Sequence, residues 1–372
     1  MSATKLRLNL NHLVQNYQLF VEAAKADGER SSSSEIAAVV KADAYGLGVG
    51  PVAQALDNAG CSTFFVAHGF EGEALRAHLA DAKIYVFHGC LEGEEESFKL
   101  NRLIPVLHSL EGVKRWVKFA KSSSYGDCAL QVDTGMKRLG VSADEFQALC
   151  DDPTLSEEIK VHLIMSHLAC ADEQTHPKNK EQLEMFTELM KGRPDWLANA
   201  SLSLANSAGT LLGHAFQFDV CRVGIGLYGG NPFSDQVNPC RSVVSVETPI
   251  LQLSEINKGE SVSYGATWTA SKSSRIATIG VGYADGYLRL AGEGGVVAID
   301  AHRAPIIGRV TMDLIMIDVT DIPEDQIRVG TMVELMGEQI TVDEIAEHGR
   351  TISYEVLTSL GQRYQRDYIF DH

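Results

Sequence analysis

Two rhythms of hydrophobic and polar positions run along this chain. Short, nearly uninterrupted apolar runs recur at 36–40 (IAAVV), 63–67 (TFFVA), 83–87 (KIYVF), 103–107 (LIPVL), 128–132 (CALQV), 161–166 (VHLIMS), 201–205 (SLSLA) and 220–225 (VCRVGI). Runs of this length without polar alternation read as strands covered on both faces. Most are followed by helical spacing, as at 51–59 (PVAQALDNA), opened by Pro51, and at 180–190 (KEQLEMFTELM). The stretch Asn11–Ala26 has helical spacing too, with Leu13, Tyr17, Phe20, Val21 and Ala24 on one face, and Ser31–Ser34 then reads as a loop. Eight strands alternating with helices predict an α/β fold, a parallel (β/α)8 barrel of the TIM type.

After about residue 235 the rhythm changes. SVVSVETPILQL, SRIATIGVGYADGY and APIIGRVTMDLIMIDVT are rich in β-branched residues, with Gly and Pro between them, and little looks helical before 342–348 (VDEIAEH). Two domains are expected, a barrel over 1–235 and a mostly β domain over 236–372.

Composition narrows the possible partners. A chain of 372 residues exceeds one ordinary core. With 32 Lys and Arg against 49 Asp and Glu, the formal charge is −17, a poor match to nucleic acid or an anionic membrane. An anionic ligand must then be captured by local cations. Seven scattered cysteines with no C-x-x-C spacing argue for reduced thiols in a cytoplasm, and no metal is called for. The start, MSATKLRLNLNHLVQNY, lacks the apolar core of a signal peptide, and no run is long enough to span a bilayer.

Barrel chemistry sits at the carboxyl ends of the strands. Lys41 follows the first apolar run, in AVVKADAYGLG. Arg138 (DTGMKRLG) follows the fifth, His167 the sixth, and Asn206 and Ser207 (ANSAG) the seventh. Arg222, Gly224 and Ile225 (RVGIGLYGG) close the eighth. Loops after strands seven and eight often build a phosphate cup from backbone N–H groups and small residues. A lysine facing such a cup suggests pyridoxal phosphate held as a Schiff base. Each piece also has a plainer reading. Lys41 alone fits a strand-end lysine, His167 a satisfied core histidine, Arg222 a structural ion pair, and the tyrosines of VSYGATW and ISYEV a β-domain core. Periodicity by itself stops at a barrel enzyme with a phosphate ligand.

AVVKADAYGLG resembles the cofactor-lysine signature of bacterial alanine racemases. VDTGMKRLG, HLACADE, ANSAG, CRVGIGLYGG, VSYGATW, VGYADGY, GRVTMDL and ISYEV extend the resemblance along nearly the whole chain. It implies a pyridoxal-phosphate enzyme that interconverts L- and D-alanine, supplying D-alanine for wall synthesis or entering its breakdown. It also implies a head-to-tail homodimer in which each site takes Lys41 from one barrel and Tyr264 from the partner's β domain. By the same resemblance Lys41 and Tyr264 are the two bases. Tyr45, Ser207, Tyr354 and the backbone of Gly224 and Ile225 hold the phosphate, with Asn206 beside them. Arg222 meets the pyridine nitrogen, and His167 lies between Arg222 and Tyr264. Arg138 and the Met312 backbone meet the substrate carboxylate. Asp172, Tyr283, Arg289, Arg309 and Ile352 match the family's substrate entryway.

Three positions depart from the family pattern. Gln131 stands where a carbamylated lysine often braces the arginine, so Gln131 is expected to accept a hydrogen bond from Arg138 or to sit beside a bound anion. Thr311 replaces a common cysteine, and LNLNHL replaces a more acidic start. Serine is the neighbouring substrate reading. An amino-acid decarboxylase on the same two domains is expected to carry an acid where Arg222 stands. A non-catalytic pyridoxal-phosphate carrier would not need the β domain.

Overall fold

The computed structural model describes residues 4–26 and 32–370. Met1 to Ala3 of the opening stretch and Ser31 of the serine loop lie outside the described residues.

All eight predicted barrel strands form. They are β2 (Glu35–Val39), β3 (Thr63–Val66), β4 (Lys83–Val86), β5 (Leu103–Leu107), β6 (Asp127–Gln131), β7 (Lys160–Met165), β8 (Ser201–Ser203) and β9 (Val220–Val223). They pair in parallel in the order β8-β7-β6-β5-β4-β3-β2-β9. Between β8 and β9 the seam carries Asp219 N–H to Leu202 O (3.0 Å), Arg222 N–H to Ala205 O (3.0 Å) and the Ser203 hydroxyl to Val220 O (2.5 Å). The strands have no polar face because helices cover the outside and side chains fill the inside. Phe64, Phe65 and Val66 are wholly buried. Phe65 stacks on Tyr85 and Phe87, with centroids 4.8 and 5.0 Å away, so the barrel core reaches the floor of the site.

The predicted helices lie close to where periodicity put them, at Leu10–Ala23, Val49–Asn58, Pro177–Lys191 and Val342–His348. The segment around ISYEV, whose tyrosine also suited a β core, is a helix, Ser353–Ser359.

The β domain is one antiparallel sheet extended by a parallel edge. Its strands are β10 (Val244–Ile256), β13 (Ser274–Ile279), β14 (Val296–Ile299), β15 (His302–Ile307), β16 (Ile315–Asp318) and β17 (Met332–Met336), with a small hairpin of β11 (Ser261–Val262) and β12 (Trp268–Thr269). β10 is long enough to pair with β17 through its first half and β13 through its second, across an irregularity at Ile250/Gln252, which closes the sheet on itself. The first strand of the chain, β1 (Lys5–Asn9), belongs to this sheet, between β10 and the last strand, β18 (Gln365–Ile369). A division at residue 235 therefore leaves the chain's first strand on the wrong side. Leu6 and Leu8 are buried while Lys5, Arg7 and Asn9 are not, so the signal was a period of two inside five residues.

Candidate active site

The site starts at the end of β2. Lys41 follows the strand at once, and the next four residues, Ala42 to Tyr45, adopt left-handed backbone with φ between 53 and 59° and ψ between 36 and 53°. None is glycine. Such backbone costs roughly 1–2 kcal/mol per residue and persists only where surroundings over-determine it. Here the Glu71 carboxylate accepts the Ala42, Ala67 and His68 N–H groups at 2.7, 2.7 and 3.1 Å. The Asp43 carboxylate accepts the Val49 N–H at 2.7 Å. The turn directs Lys41 and Tyr45 into one cavity.

That cavity, of about 480 Å³, opens at the carboxyl ends of the barrel strands. It is lined by Lys41, Tyr45, Arg138, His167, Asn206, Ser207, Arg222, Gly224, Ile225 and Tyr354, together with Gln131. Residues called from separate strand ends thus meet at one place. Tyr354 arrives from the β domain and its ring lies 5.9 Å from that of Tyr45, which in turn packs 4.5 Å from Tyr228. The Ser207 hydroxyl accepts the Gly224 N–H at 2.9 Å, tying the two small-residue loops together. The Asn206 side chain accepts the Gly209 N–H at 2.8 Å and starts the short helix Ser207–Leu211.

Burial sets the protonation states. It lowers the Lys41 amine below the usual lysine range, with the Arg138 charge adding to the effect and Glu71 opposing it. The ammonium lies over the Phe87 ring, 5.9 Å from its centroid. Tyr45 and Tyr354 move the other way. Burial raises both, Tyr354 to about 12, so both hydroxyls stay protonated as donors.

Arg222 is 2% exposed, and the Ser203 hydroxyl, Ser166 O (2.6 Å), Leu204 O (3.4 Å) and His167 Nδ1 (3.2 Å) take up its two amino groups. No carboxylate lines the cavity among the described residues. Burial lowers Arg222 to about 10, which leaves it charged at neutral pH. Its Nε–H is buried with no partner among the described residues. An arginine can only donate, so His167 Nδ1 accepts, and a neutral ring carries its proton on Nε2. Burial and the charges of Arg222, Arg138 and Lys41 hold His167 well below the usual histidine range.

Gln131 does not meet Arg138. Its Nε2 donates to Leu139 O at 3.0 Å, so it anchors the backbone one residue beyond the arginine. Arg138 is exposed at the cavity rim.

The remaining residues called from the sequence do not line the cavity. Tyr264, Met312 and Ile352 are 74, 53 and 61% exposed. Asp172, Tyr283, Arg289 and Arg309 also face solvent. Tyr264, Tyr283, Arg309 and Met312 lie on or against the 308–314 loop. The Ser263 hydroxyl donates to Arg309 O at 2.7 Å beside Tyr264, and Gly265 lies close against the Arg309 guanidinium. Tyr283 N–H donates to Thr311 O (3.1 Å) and Ala284 N–H to Met312 O (3.0 Å).

Sequence reasoning missed part of the lining. Phe87 and His88 follow β4, and Ala67 follows β3, so asking what stands after each strand would have found them. Val39, Leu139 and Met165 also line the cavity, and as single apolar residues they carried no signal.

Two family models match the chain, the alanine racemase N-terminal domain over residues 8–232 and the C-terminal domain over 243–368. An alanine racemase of Rhizobium meliloti is 42% identical over 99% of this chain and 97% of its own length. One of Rhodospirillum rubrum is 45% identical over 92% of this chain and 91% of its own. The crystal structure of alanine racemase from Bartonella henselae with covalently bound pyridoxal phosphate superposes with a TM-score of 0.91 at 36% identity, covering 98% of this chain and 99% of that one.

Proposed function

The chain belongs to the alanine racemase family, and from that premise we propose that it interconverts L- and D-alanine with Lys41 and Tyr264 as the two bases. The observation that carries the residue assignment is the buried Arg222 with its unpartnered Nε–H, in the same cavity as a lysine of lowered proton affinity.

The residues present suit pyridoxal phosphate. The Tyr45, Tyr354 and Ser207 hydroxyls and the small-residue loop at Gly224 and Ile225, with Asn206 beside them, are the groups to hold its phosphate. Arg222 Nε–H is the donor to its ring nitrogen, and Lys41 the residue to carry it covalently. When bound, the cofactor supplies the electron sink that makes the alanine Cα proton acidic enough for a side chain to remove.

Racemisation needs a proton taken from one face of Cα and one returned on the other. Lys41 Nζ serves one face. Its lowered proton affinity leaves more neutral amine near neutral pH than an ordinary lysine would have. Tyr264 Oη serves the other. Arg138 and the Met312 N–H orient the carboxylate so that the Cα–H bond points at a base. Arg222 cannot take a proton from the ring nitrogen or share one with it as a carboxylate would. The electron sink is thereby weakened, which favours return of the proton to Cα over side reactions. The same charge pattern disfavours the decarboxylase reading. His167, held by Arg222, is placed to orient the tyrosine base.

In a single chain Tyr264 stands in solvent, so we propose that the β-domain surface of one copy caps the barrel mouth of another in a head-to-tail homodimer. Asp172, Tyr283, Arg289, Arg309 and Ile352 then border the route by which substrate enters. Among the described residues no helix is long and apolar enough to cross a membrane. The seven cysteines form no disulfide there, and reduced thiols favour a cytoplasmic location. We assign its role to supply of D-alanine for the wall or to D-alanine breakdown. The test is a chiral assay of the purified protein over a panel of L-amino acids, with visible absorbance for the cofactor. Loss of optical activity with L-alanine, and more slowly with L-serine, is the expected result. A yellow protein that racemises nothing would leave the carrier reading standing.

A further inference from the structure

The left-handed turn after Lys41 is held partly from the other domain. β18 places Arg366 and Tyr368 two residues apart, on one face of the strand. Arg366 Nη1 donates to Gly46 O at 2.7 Å, and its Nη2 to Gly361 O at 3.1 Å. The Tyr368 hydroxyl donates to Leu47 O at 2.9 Å. Gly48 lies directly under that hydroxyl, and a Cβ on Gly46 would come within 2.9 Å of Leu357 O on the helix that carries Tyr354. β18 is itself fixed by parallel pairing with β1, Arg366 opposite Leu6 and Tyr368 opposite Leu8. The two ends of the chain thus meet at the segment that must keep four strained residues in place.

We propose that Arg366 and Tyr368 are positioning residues, which hold the Ala42–Tyr45 turn from the β domain and so set where Lys41 and Tyr45 stand in the cavity. Glu71 and Asp43 brace the front of the turn from the barrel, whereas the carbonyls of Gly46 and Leu47 at its back are held by the β domain. Coupling between sites is reciprocal. Occupation of the cavity by cofactor must then tighten the docking of β18, and loosening β18 must weaken the cofactor. This consequence rests on the reading of the cavity as a pyridoxal-phosphate site; the hold on the turn does not.

The test uses full-length protein with Arg366→Met, Tyr368→Phe, both together, and Thr248→Val as control. Thr248 bonds Thr4 inside the β sheet at 2.9 Å. Hydrogen exchange is followed in cofactor-free protein at the amides of Ala44, Leu47, Gly48 and Val49, and pyridoxal-phosphate dissociation is measured by absorbance. Exchange and the dissociation constant should each rise about threefold in Tyr368→Phe and about tenfold or more in the double variant. Thr248→Val should lower the melting temperature and change neither. Wild-type values in the Arg366 and Tyr368 variants, or equal changes in Thr248→Val, overturn the proposal. If the double variant does not fold, Tyr368→Phe alone decides it. A wild-type protein that binds no pyridoxal phosphate sinks the functional reading, while the exchange measurements still judge the hold on the turn.

Discussion

The resemblance draws one base from the barrel mouth and the other from the β-domain loops, yet within one chain the two regions look opposite. At the barrel mouth, side chains from the ends of β2, β6, β7, β8 and β9 converge on one cavity, and burial shifts the ionisation of Lys41, His167 and Arg222. On the β domain, Tyr264, Tyr283 and Met312 share a surface but enclose nothing, with Tyr264 74% exposed. One half of the site is built by folding. On the proposed reading the other half needs a second molecule to cover it, because a base in solvent is neither desolvated nor aimed. Tyr354 marks the boundary: it belongs to the β domain yet lines the barrel cavity of its own chain.

The largest effect should come from the barrel half. On the proposed reading Lys41→Ala removes the covalent anchor and one base together. Visible absorbance should vanish, and racemase activity should fall by three orders of magnitude or more, roughly the range of one acid–base group. An unchanged spectrum would place the cofactor elsewhere.

Mixing the two halves tests the comparison most directly. Lys41→Ala and Tyr264→Ala should each be inactive, and co-refolded in equal amounts they should recover about a quarter of wild-type activity. Random pairing makes half the dimers mixed, each with one intact site of two. Confirmed mixed dimers with no activity would mean that each chain uses its own tyrosine, against the exposure seen here.

Arg222→Glu tests the charge pattern inside the barrel half. If Arg222 meets the ring nitrogen as proposed, this replaces a donor by an acceptor there and should raise pyruvate formed per racemisation event. The ratio is the readout, because the buried change also strips the Ser203, Ser166 and Leu204 oxygens of a donor and should lower stability. A constant ratio would defeat this account of the arginine.

Gln131→Ala should be milder. Losing its bond to Leu139 O frees the loop that carries Arg138, so KM for alanine should rise several-fold with little change in kcat, as about 1 kcal/mol of substrate orientation is lost. A fall in kcat at constant KM would show that Gln131 acts on the chemistry instead.

The smallest effect is on stability. Burial and three neighbouring cations hold His167 well below its ordinary 6.5 in the folded chain. As pH falls through about 6.5, the unfolded chain protonates this histidine and the folded chain does not. The unfolded state then holds more protons, and stability falls with falling pH. His167→Asn should flatten the drop in melting temperature below pH 6.5 without abolishing it, since His88 is lowered in the same sense. An identical pH profile in that variant would mean that His167 ionises alike in both states.

The sequence alone determined the barrel, because apolar runs of five or six residues without polar alternation have no other way to bury both faces. It also determined which strand ends carry polar chemistry, since Lys41, Arg138, His167 and Arg222 are too polar to be filler next to such runs. Where it failed, the information was non-local. β1 is five residues whose partners lie more than 230 positions away, at Val244–Glu247, and at the far end of the chain, at Gln365–Ile369. Gln131 was read as a partner of Arg138, but a strand-end amide bonds whatever the loop returns to it, and the loop returned Leu139 O. The left-handed turn at Ala42–Tyr45 left no mark in residue type at all. Alanine and tyrosine do not favour that backbone and aspartate visits it only singly, so four such residues in a row are held by Asp43's own bond and by contacts from Glu71, Arg366 and Tyr368, brought in by the folded barrel and the last strand.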